Sequence, residues 1–424
     1  MSDETQIERA IARAFRPQRR MSRRLFLRQT GRGAVVAGSA LTLPAILAAC
    51  GIGPTGSQGA GSQAALPSAP AGVLDFANWP AYIDIDEETG GYPTIEKFQS
   101  ESDIAVTYTE SINDNEEFFG LIQPDLSAGN TPQYDIIVMT DWMTERLIRL
   151  GYLEALDHSK LPNFAANVQD LYRDPVWDPD NRYSVAWQSG LVGIGYNPDL
   201  TGREITSWDD LLDPAFAGRT GMFKEMRDTF TFGLLADGVN PQEATIEDVT
   251  RVQQKLLEAG ERGQFRNFYG NDYYDGLANG DLAITMAWSG DVSQMKLFDN
   301  DAVEFMVPES GGVLWTDSMS IPINAAHPLD AHLMMDFWYE LENAVPLTEY
   351  VGYFSPVAGV AEQVAADADT ARADGDEEWA GQLEVISATA FPSADLLDRV
   401  YNYKSLDEDE EDAWQELFDA VIAG

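Results

Sequence analysis

Short runs rich in β-branched and aromatic residues alternate with stretches of helical spacing along most of this 424-residue chain, and that alternation limits the fold more than any other feature. Val73-Leu-Asp-Phe-Ala-Asn-Trp79 suits a strand, Tyr92 to Ser100 has helical spacing, and Ile104 to Thr109 has strand composition again. Phe118, Phe119, Ile122 and Leu126 mark one face of a further helix, which Pro124 is expected to interrupt. Tyr134 to Met139 reads as a buried strand and Thr144 to Leu150 as a short helix. Strand, helix, strand, helix, strand predicts an α/β lobe with a largely parallel sheet. A second α/β region starts near Leu191 to Tyr196. It takes in Ser207 to Leu212, with Ser207 as N-cap, and an amphipathic helix over Ile246 to Leu257. A strand over Asp281 to Trp288 then runs into a turn at Ser289-Gly290. Residues 329–341 are expected to be helical, as is the acidic stretch Leu406 to Ala420, with Trp414, Leu417, Phe418 and Val421 on one side. The body is about 350 residues long, too many for one comfortable core, so two lobes are expected.

Residues 1–49 carry an address rather than a fold. Ser22-Arg23-Arg24-Leu25-Phe26-Leu27-Arg28 is a twin-arginine export pattern. The apolar run from Ala34 to Ala49 is broken by Gly38, Ser39, Thr42 and Pro44. It is shorter than the roughly 18 residues of a spanning helix. Leu47-Ala48-Ala49-Cys50-Gly51 is similar to a lipobox, in which the cysteine takes a diacylglycerol thioether and becomes the new N-terminus. Residues 50–72 are then a lipidated cysteine followed by an uncharged tether rich in Gly, Ser, Ala and Pro. The protein is expected outside the cytoplasmic membrane and anchored to it by a lipid; an uncleaved anchor helix would place the body on the same side. Cys50 is the only cysteine, which excludes disulfides, thiolate metal sites and a cysteine nucleophile from the rest of the chain.

The chain has 27 basic and 70 acidic residues and a formal net charge of −43. Residues 1–50 hold nine arginines and three acids, which leaves the body with 18 basic against 67 acidic residues. Phosphate contact needs a basic surface, so nucleic acid is excluded as a partner. The acidity reads first as solubility or adaptation to salt, although it also draws cations to the surface. His158, His327 and His332 have no metal-ligand spacing, so neither a metal nor a cofactor is expected. No nucleophile elbow and no P-loop occur. Paired carboxylates would allow a hydrolase that works with two acids, but a body with this many acids produces such pairs by chance.

The specific signal is a set of aromatic and acidic residues at strand ends and loops, where α/β ligand sites gather. Asn78-Trp79-Pro80-Ala81-Tyr82-Ile83 ends the first strand, and Thr140-Asp141-Trp142 ends a later one. Glu225-Met-Arg-Asp228 follows Gly221-Met-Phe, and Ala287-Trp288-Ser-Gly290 ends another strand. Gly311-Gly-Val-Leu-Trp-Thr-Asp-Ser-Met-Ser-Ile-Pro322 and Val351-Gly-Tyr353-Phe-Ser-Pro356 follow. In an extended segment Trp315 and Asp317 point to the same side, which sets an indole beside a carboxylate. Each tryptophan alone would pass for core packing, and Glu225 with Asp228 alone for a solvated helix turn. The motifs N-W-x-x-Y-[IV], Y-D-[IL]-[IV]-V, S-W-x-D-L, [IM]-x-W-[SN]-G, G-G-x-x-W-x-D-S-[ML]-x-I-P and [IV]-G-Y-x-[ST]-P follow one another in that order. In this the chain resembles the spermidine/putrescine-binding proteins of polyamine ABC transporters, from about Leu74 to Pro356 and more loosely beyond.

The resemblance implies an α/β, two-lobed periplasmic-binding-protein fold with two hinge crossovers. It places residues 73–191 and 316–371 in an N-lobe and 192–315 and 372–424 in a C-lobe. It implies a polyamine ligand, putrescine or spermidine, an ABC permease as membrane partner, a monomeric protein and no enzymatic activity. Carried over by motif, Trp79 and Tyr82 would line the N-lobe side, Trp288 and Trp315 would sandwich the methylenes, and Tyr353 would add a ring. Asp317 would take one amine, and Glu225 and Asp228 the other, although the family commonly has Asp first and Glu second. Thr140 stands for a usual Ser, Trp142 for a usual Tyr, and Pro80 where a hydroxyl residue is common. The family's C-terminal Gln has no clear counterpart, with Asn402 and Tyr403 nearby. Those departures leave another small cationic or zwitterionic solute open, with an exported hydrolase or a surface lipoprotein with a degenerate cleft behind it.

Overall fold

The computed structural model describes residues 66–423 except 87, 88 and 113. Arg23, Arg24, Cys50 and the tether as far as residue 65 lie outside the described residues. The end of the expected tether is pinned: Ala71 and Gly72 donate their backbone N–H groups to the Asp330 carboxylate at 2.9 and 2.7 Å.

The first half of the chain alternates as expected. Strand β1 (Val73–Asn78) is followed by α1 (Pro93–Ser102), β2 (Ala105–Glu110), α2 (Asn115–Ala128), β3 (Ile136–Thr140) and α3 (Asp141–Leu150). Helix α2 runs through Pro124, where an interruption was expected. Asp114 caps its start, Phe118, Ile122 and Leu126 are buried along one face, and Gly120 and Pro124 are exposed. The carbonyl that the proline leaves without a partner therefore opens to solvent, and burial of the apolar face outweighs the lost hydrogen bond.

A long strand β4 (Ser184–Tyr196) leads into the second region. There β5 (Thr220–Phe223), α4 (Met226–Ala236), α5 (Ile246–Glu261), β6 (Phe265–Tyr269), β7 (Ile284–Trp288), α6 (Ser289–Phe298) and β8 (Glu304–Met306) follow. Ser207 does cap the turn at Trp208–Leu212, in a reciprocal capping box with Asp210. Ser289-Gly290 is not a free turn but the first turn of α6. The chain returns through β9 (Gly312–Ser320) and closes with α7 (Pro328–Trp338), α8 (Leu341–Val351), α9 (Val360–Ala373), α10 (Glu377–Thr389), β10 (Val400–Tyr401) and α11 (Glu408–Ala423).

The strands form one sheet in the order β2-β1-β3-β9-β4-β7-β5-β6, with β10 beside β9 and β8 beside β4. β1 lies parallel to β2 and β3, and β5 lies parallel to β6 and β7. Between these two parallel groups run β4 and β9, antiparallel to each other from Ser184↔Ser320 to Val192↔Val313. β3 pairs with β9 over Thr140↔Asp317 to Ile137↔Ser320, whereas β7 pairs with β4 over Val192↔Trp288 to Tyr196↔Ile284. The molecule is thus two α/β lobes joined by two long paired strands. Both strands are buried at every position, so they read as continuous apolar and small runs and not as alternation.

His327, Asp75 and Asp135 come within 4.8 Å of one another, a grouping that sequence spacing does not show. Asp135 is already filled there. Its carboxylate accepts from the N–H of Asp75 at 3.0 Å and from the N–H and ring Nδ1 of His327, both at 2.8 Å. The cluster fastens β3 to the loop before α7.

Candidate functional site

The ends of β1, β3, β5, β7 and β9 face one cavity of about 870 Å³, partly open to solvent, to which both parallel groups contribute. All ten residues expected at a ligand site line it: Trp79, Tyr82, Thr140, Trp142, Glu225, Asp228, Trp288, Trp315, Asp317 and Tyr353. The fold brings them together because each sits at or just beyond a strand end or on the joining strand β9, except Tyr353, which comes just after α8.

One wall is a relay of hydrogen bonds across paired strands. Asn115 Nδ2 donates to Thr140 Oγ1 at 3.0 Å, and that hydroxyl donates to Asp317 Oδ1 at 2.8 Å. Thr140 thus supplies a hydroxyl at the position where the resemblance has a serine. Burial pushes the Asp317 carboxyl up to about 7, against the lowering effect of Thr140 and of Tyr82. The Tyr82 hydroxyl is close enough to favour that charge but is not in hydrogen-bond geometry with any group. Asp141, next to this wall, accepts from the N–H of Trp142 at 2.7 Å and of Thr316 at 3.3 Å, which braces β9 beside Asp317.

The opposite acids lie at the start of α4, where helix N-terminal dipoles favour negative charge. Asp228 is buried and accepts a hydrogen bond from the Tyr403 hydroxyl. Its carboxyl is raised to about 7 by burial, opposed by that hydrogen bond and reinforced by the charge of Asp317. Glu225, half-buried, is raised to about 8 by burial and then by the charges of Asp228, Asp114 and Glu116. Carboxyls that repel one another in this way lie close together, and desolvation makes a cation their natural partner.

The rings form a belt between these acids. Tyr82 meets Tyr353 edge-on with centroids 5.6 Å apart, and Tyr353 meets Trp315 at 5.3 Å. Tyr353 donates its hydroxyl to Asp291 at 2.8 Å. Trp288, which lines the cavity, stacks on Phe223 at 4.4 Å and meets Tyr273 edge-on at 5.6 Å. Glycines make this belt possible. A Cβ at Gly190 would lie 2.5 Å from the Trp315 ring, and one at Gly290 would lie 2.5 Å from the Tyr353 ring.

Trp142 lines the cavity, but the guanidiniums of Arg227 and Arg146 lie 4.6 and 5.2 Å from its ring, so it is also a platform for the protein's own cations. Arg227, between Glu225 and Asp228 in sequence, pairs with Glu411 and donates to the Lys404 carbonyl at 3.1 Å. Of the two C-terminal residues left unassigned, Tyr403 lines the cavity, whereas Asn402 donates to the Leu314 carbonyl at 3.0 Å. Sequence reading missed Asp114, Asn115, Phe223 and Tyr269 in the lining. Phe223 ends a four-residue strand, too short to show a period. Asn115 is recognisable only through its contact with Thr140.

Two α/β lobes on paired crossover strands, with an aromatic and acidic cavity fed by both, define a protein that holds a small solute. Residues 94–374 match the family of bacterial extracellular solute-binding proteins, and the chain belongs to that family. It is therefore a binding protein and not the acid-pair hydrolase weighed above. It is 27% identical over 260 residues to spermidine/putrescine-binding periplasmic protein 1 of Haemophilus influenzae, covering 61% of this chain and 70% of the relative. It is 27% identical over 312 residues to the putrescine-binding periplasmic protein SpuD of Pseudomonas aeruginosa, covering 69% and 81%. A solved spermidine/putrescine substrate-binding protein from Streptococcus pneumoniae shares the fold, with a TM-score of 0.67 at 23% identity over 83% of this chain and 98% of that one. Among the described residues no helix is long and apolar enough to cross a membrane.

Proposed function

We propose that this protein captures a polyamine such as putrescine or spermidine outside the cytoplasmic membrane and hands it to an ABC permease. One observation carries the reading: the carboxyls of Asp317, Asp228 and Glu225, with Asp114 beside them, share a ring-lined cavity in which, among the described residues, Lys224 at the exposed rim is the one basic lining residue. A cation over an indole gains about 0.5–2 kcal/mol. A charge-assisted hydrogen bond adds about 1.5–3 kcal/mol. After the costs of association, micromolar affinity, about −8 kcal/mol, is within reach. Sugars would call for amide and hydroxyl partners, and anions for arginine.

The lobes are residues 73–191 with 316–371 and residues 192–315 with 372–424. The pairing of β3 with the end of β9 and of β7 with the end of β4 supports those limits. Ligand contacts from both lobes stabilise a closed state. The protein acts as a monomer, exported through the twin-arginine pattern at Arg23 and Arg24 and held by a lipid on Cys50. The Cys50→Ser variant leaves the detergent phase on phase partitioning if the anchor is real, and stays in it if it is not.

Lys224 favours a second reading. It lies 3.8 Å from Asp114 at the rim and could meet a carboxylate, so a zwitterionic solute is the alternative. Calorimetry with putrescine, spermidine and spermine, beside amino acids and sugars, decides between them. Heat with a polyamine alone supports the first reading. Heat with an amino acid alone supports the second, and no heat with any polyamine at millimolar concentration overturns the first.

A further inference from the structure

Arg227 poses a problem for any cation site here. It occupies the second position of α4, between Glu225 and Asp228, at the helix end that already carries positive dipole. A guanidinium is permanently charged. Left free, it would turn to those two carboxylates and cancel the charge a cationic solute needs. It is only 4% exposed, so it cannot escape to water.

Instead it is drawn into a neighbouring cavity lined by Asp114, Glu116, Glu225, Trp142 and Glu411, among others. Glu411 comes from α11, far along the chain, and is the ion-pair partner of both Arg227 and Arg146, with Arg149 at 3.7 Å. The Lys404 carbonyl takes a second Arg227 N–H, and the Trp142 ring takes the guanidinium face at 4.6 Å. Arg146 is further engaged by Glu116 at 2.8 Å. Arg227 itself is absent from the lining of the solute cavity, although Glu225 and Asp228 both belong to it.

We propose that Glu411 is a specificity-determining residue: by holding the Arg227 guanidinium against Trp142, it keeps that guanidinium out of the solute cavity and leaves Glu225 and Asp228 to a cationic solute. Glu411 never touches the solute and acts through Arg227. The proposal rests on the reading of the cavity as a cation site.

Calorimetry with putrescine and spermidine on three variants tests it. Glu411→Gln binds at least tenfold more weakly than the parent, and Glu411→Gln with Arg227→Met recovers to within about threefold. A purely structural role for Glu411 predicts no recovery, and that outcome overturns the proposal, as does full affinity in Glu411→Gln. Arg227→Met alone, in which Glu411 keeps Arg146, binds more tightly than the parent; a tenfold loss also overturns it. This last variant decides the matter if Glu411→Gln does not fold.

Should the parent bind neither amine, the polyamine reading falls and a ligand-free measurement still judges the role of Glu411. Carboxyl ¹³C titration places the Glu225 midpoint lower in Glu411→Gln and at or above the parent value in the double variant, which lacks the Arg227 charge that already lowers it in the parent. An unchanged midpoint in Glu411→Gln sinks the proposal.

Discussion

Asp317 holds most of its meaning in two neighbours. Thr140 donates to it from the paired position on β3, and burial works against its charge. Asp317→Asn keeps the shape and removes the charge, so polyamine affinity measured by calorimetry should fall about ten- to hundredfold, the loss of one charge-assisted hydrogen bond. The same substitution relieves a desolvated carboxyl, so the melting temperature of the ligand-free protein should hold or rise. Retained affinity, or collapse of the fold, would contradict this assignment. The pair Trp315 and Asp317 was legible in the sequence because a strand sends every second side chain to one side. Tyr403 was not legible, because its role depends on a C-terminal segment returning to Asp228, and no local pattern encodes that return. The partner of Arg227 was not legible either, since Glu411 lies 184 positions away in sequence.

At the scale of elements, the alternation of strands and helices was readable wherever an apolar period was strong. The hairpin of α9 and α10 was not, because its buried stripe is largely alanine and valine amid acids. Gly290 was misread for a physical reason. Glycine after a strand suggests a turn, but here it starts a helix and makes room for a ring. Glycine costs a helix about 1 kcal/mol relative to alanine. Two glycines should therefore respond in opposite ways. At Gly381, inside α10, nothing lies within 4 Å of an added Cβ, so Gly381→Ala should stabilise by about 0.5–1 kcal/mol. At Gly290 the Tyr353 ring must move, so Gly290→Ala should destabilise by about 1–3 kcal/mol and weaken solute binding. Urea unfolding midpoints of the two variants check this, and a common direction of change would refute it.

For the whole molecule the acids of the cavity set a pH dependence. Glu225, raised to about 8, and Asp228 and Asp317, raised to about 7, all titrate above ordinary carboxyls. A group whose folded value is raised contributes stability at low pH that is lost as pH climbs through that value. The ligand-free protein should therefore lose stability from these groups between about pH 4 and pH 8. Amines with values near 10.4 stay charged throughout, so polyamine affinity should climb over the same window, with protons released on binding near neutrality. Melting curves with and without spermidine at pH 5.5, 7.0 and 8.5 should show a shift that grows with pH. A shift that shrinks would mean that other groups govern binding. The two-lobed plan was readable from chain length and repeated α/β alternation, whereas the joining of the lobes through β4 and β9 required the pairing itself. Trp315 and Asp317 belong to β9, so the strand that meets the solute is also the strand that joins the lobes. A directed-evolution campaign that randomises residues 312–320 would therefore select on two traits at once. Clones with an altered dose response but an unchanged choice of solute are the expected by-product, and a sensor built on this protein would be retuned more cleanly from α4 or from the loop after β1.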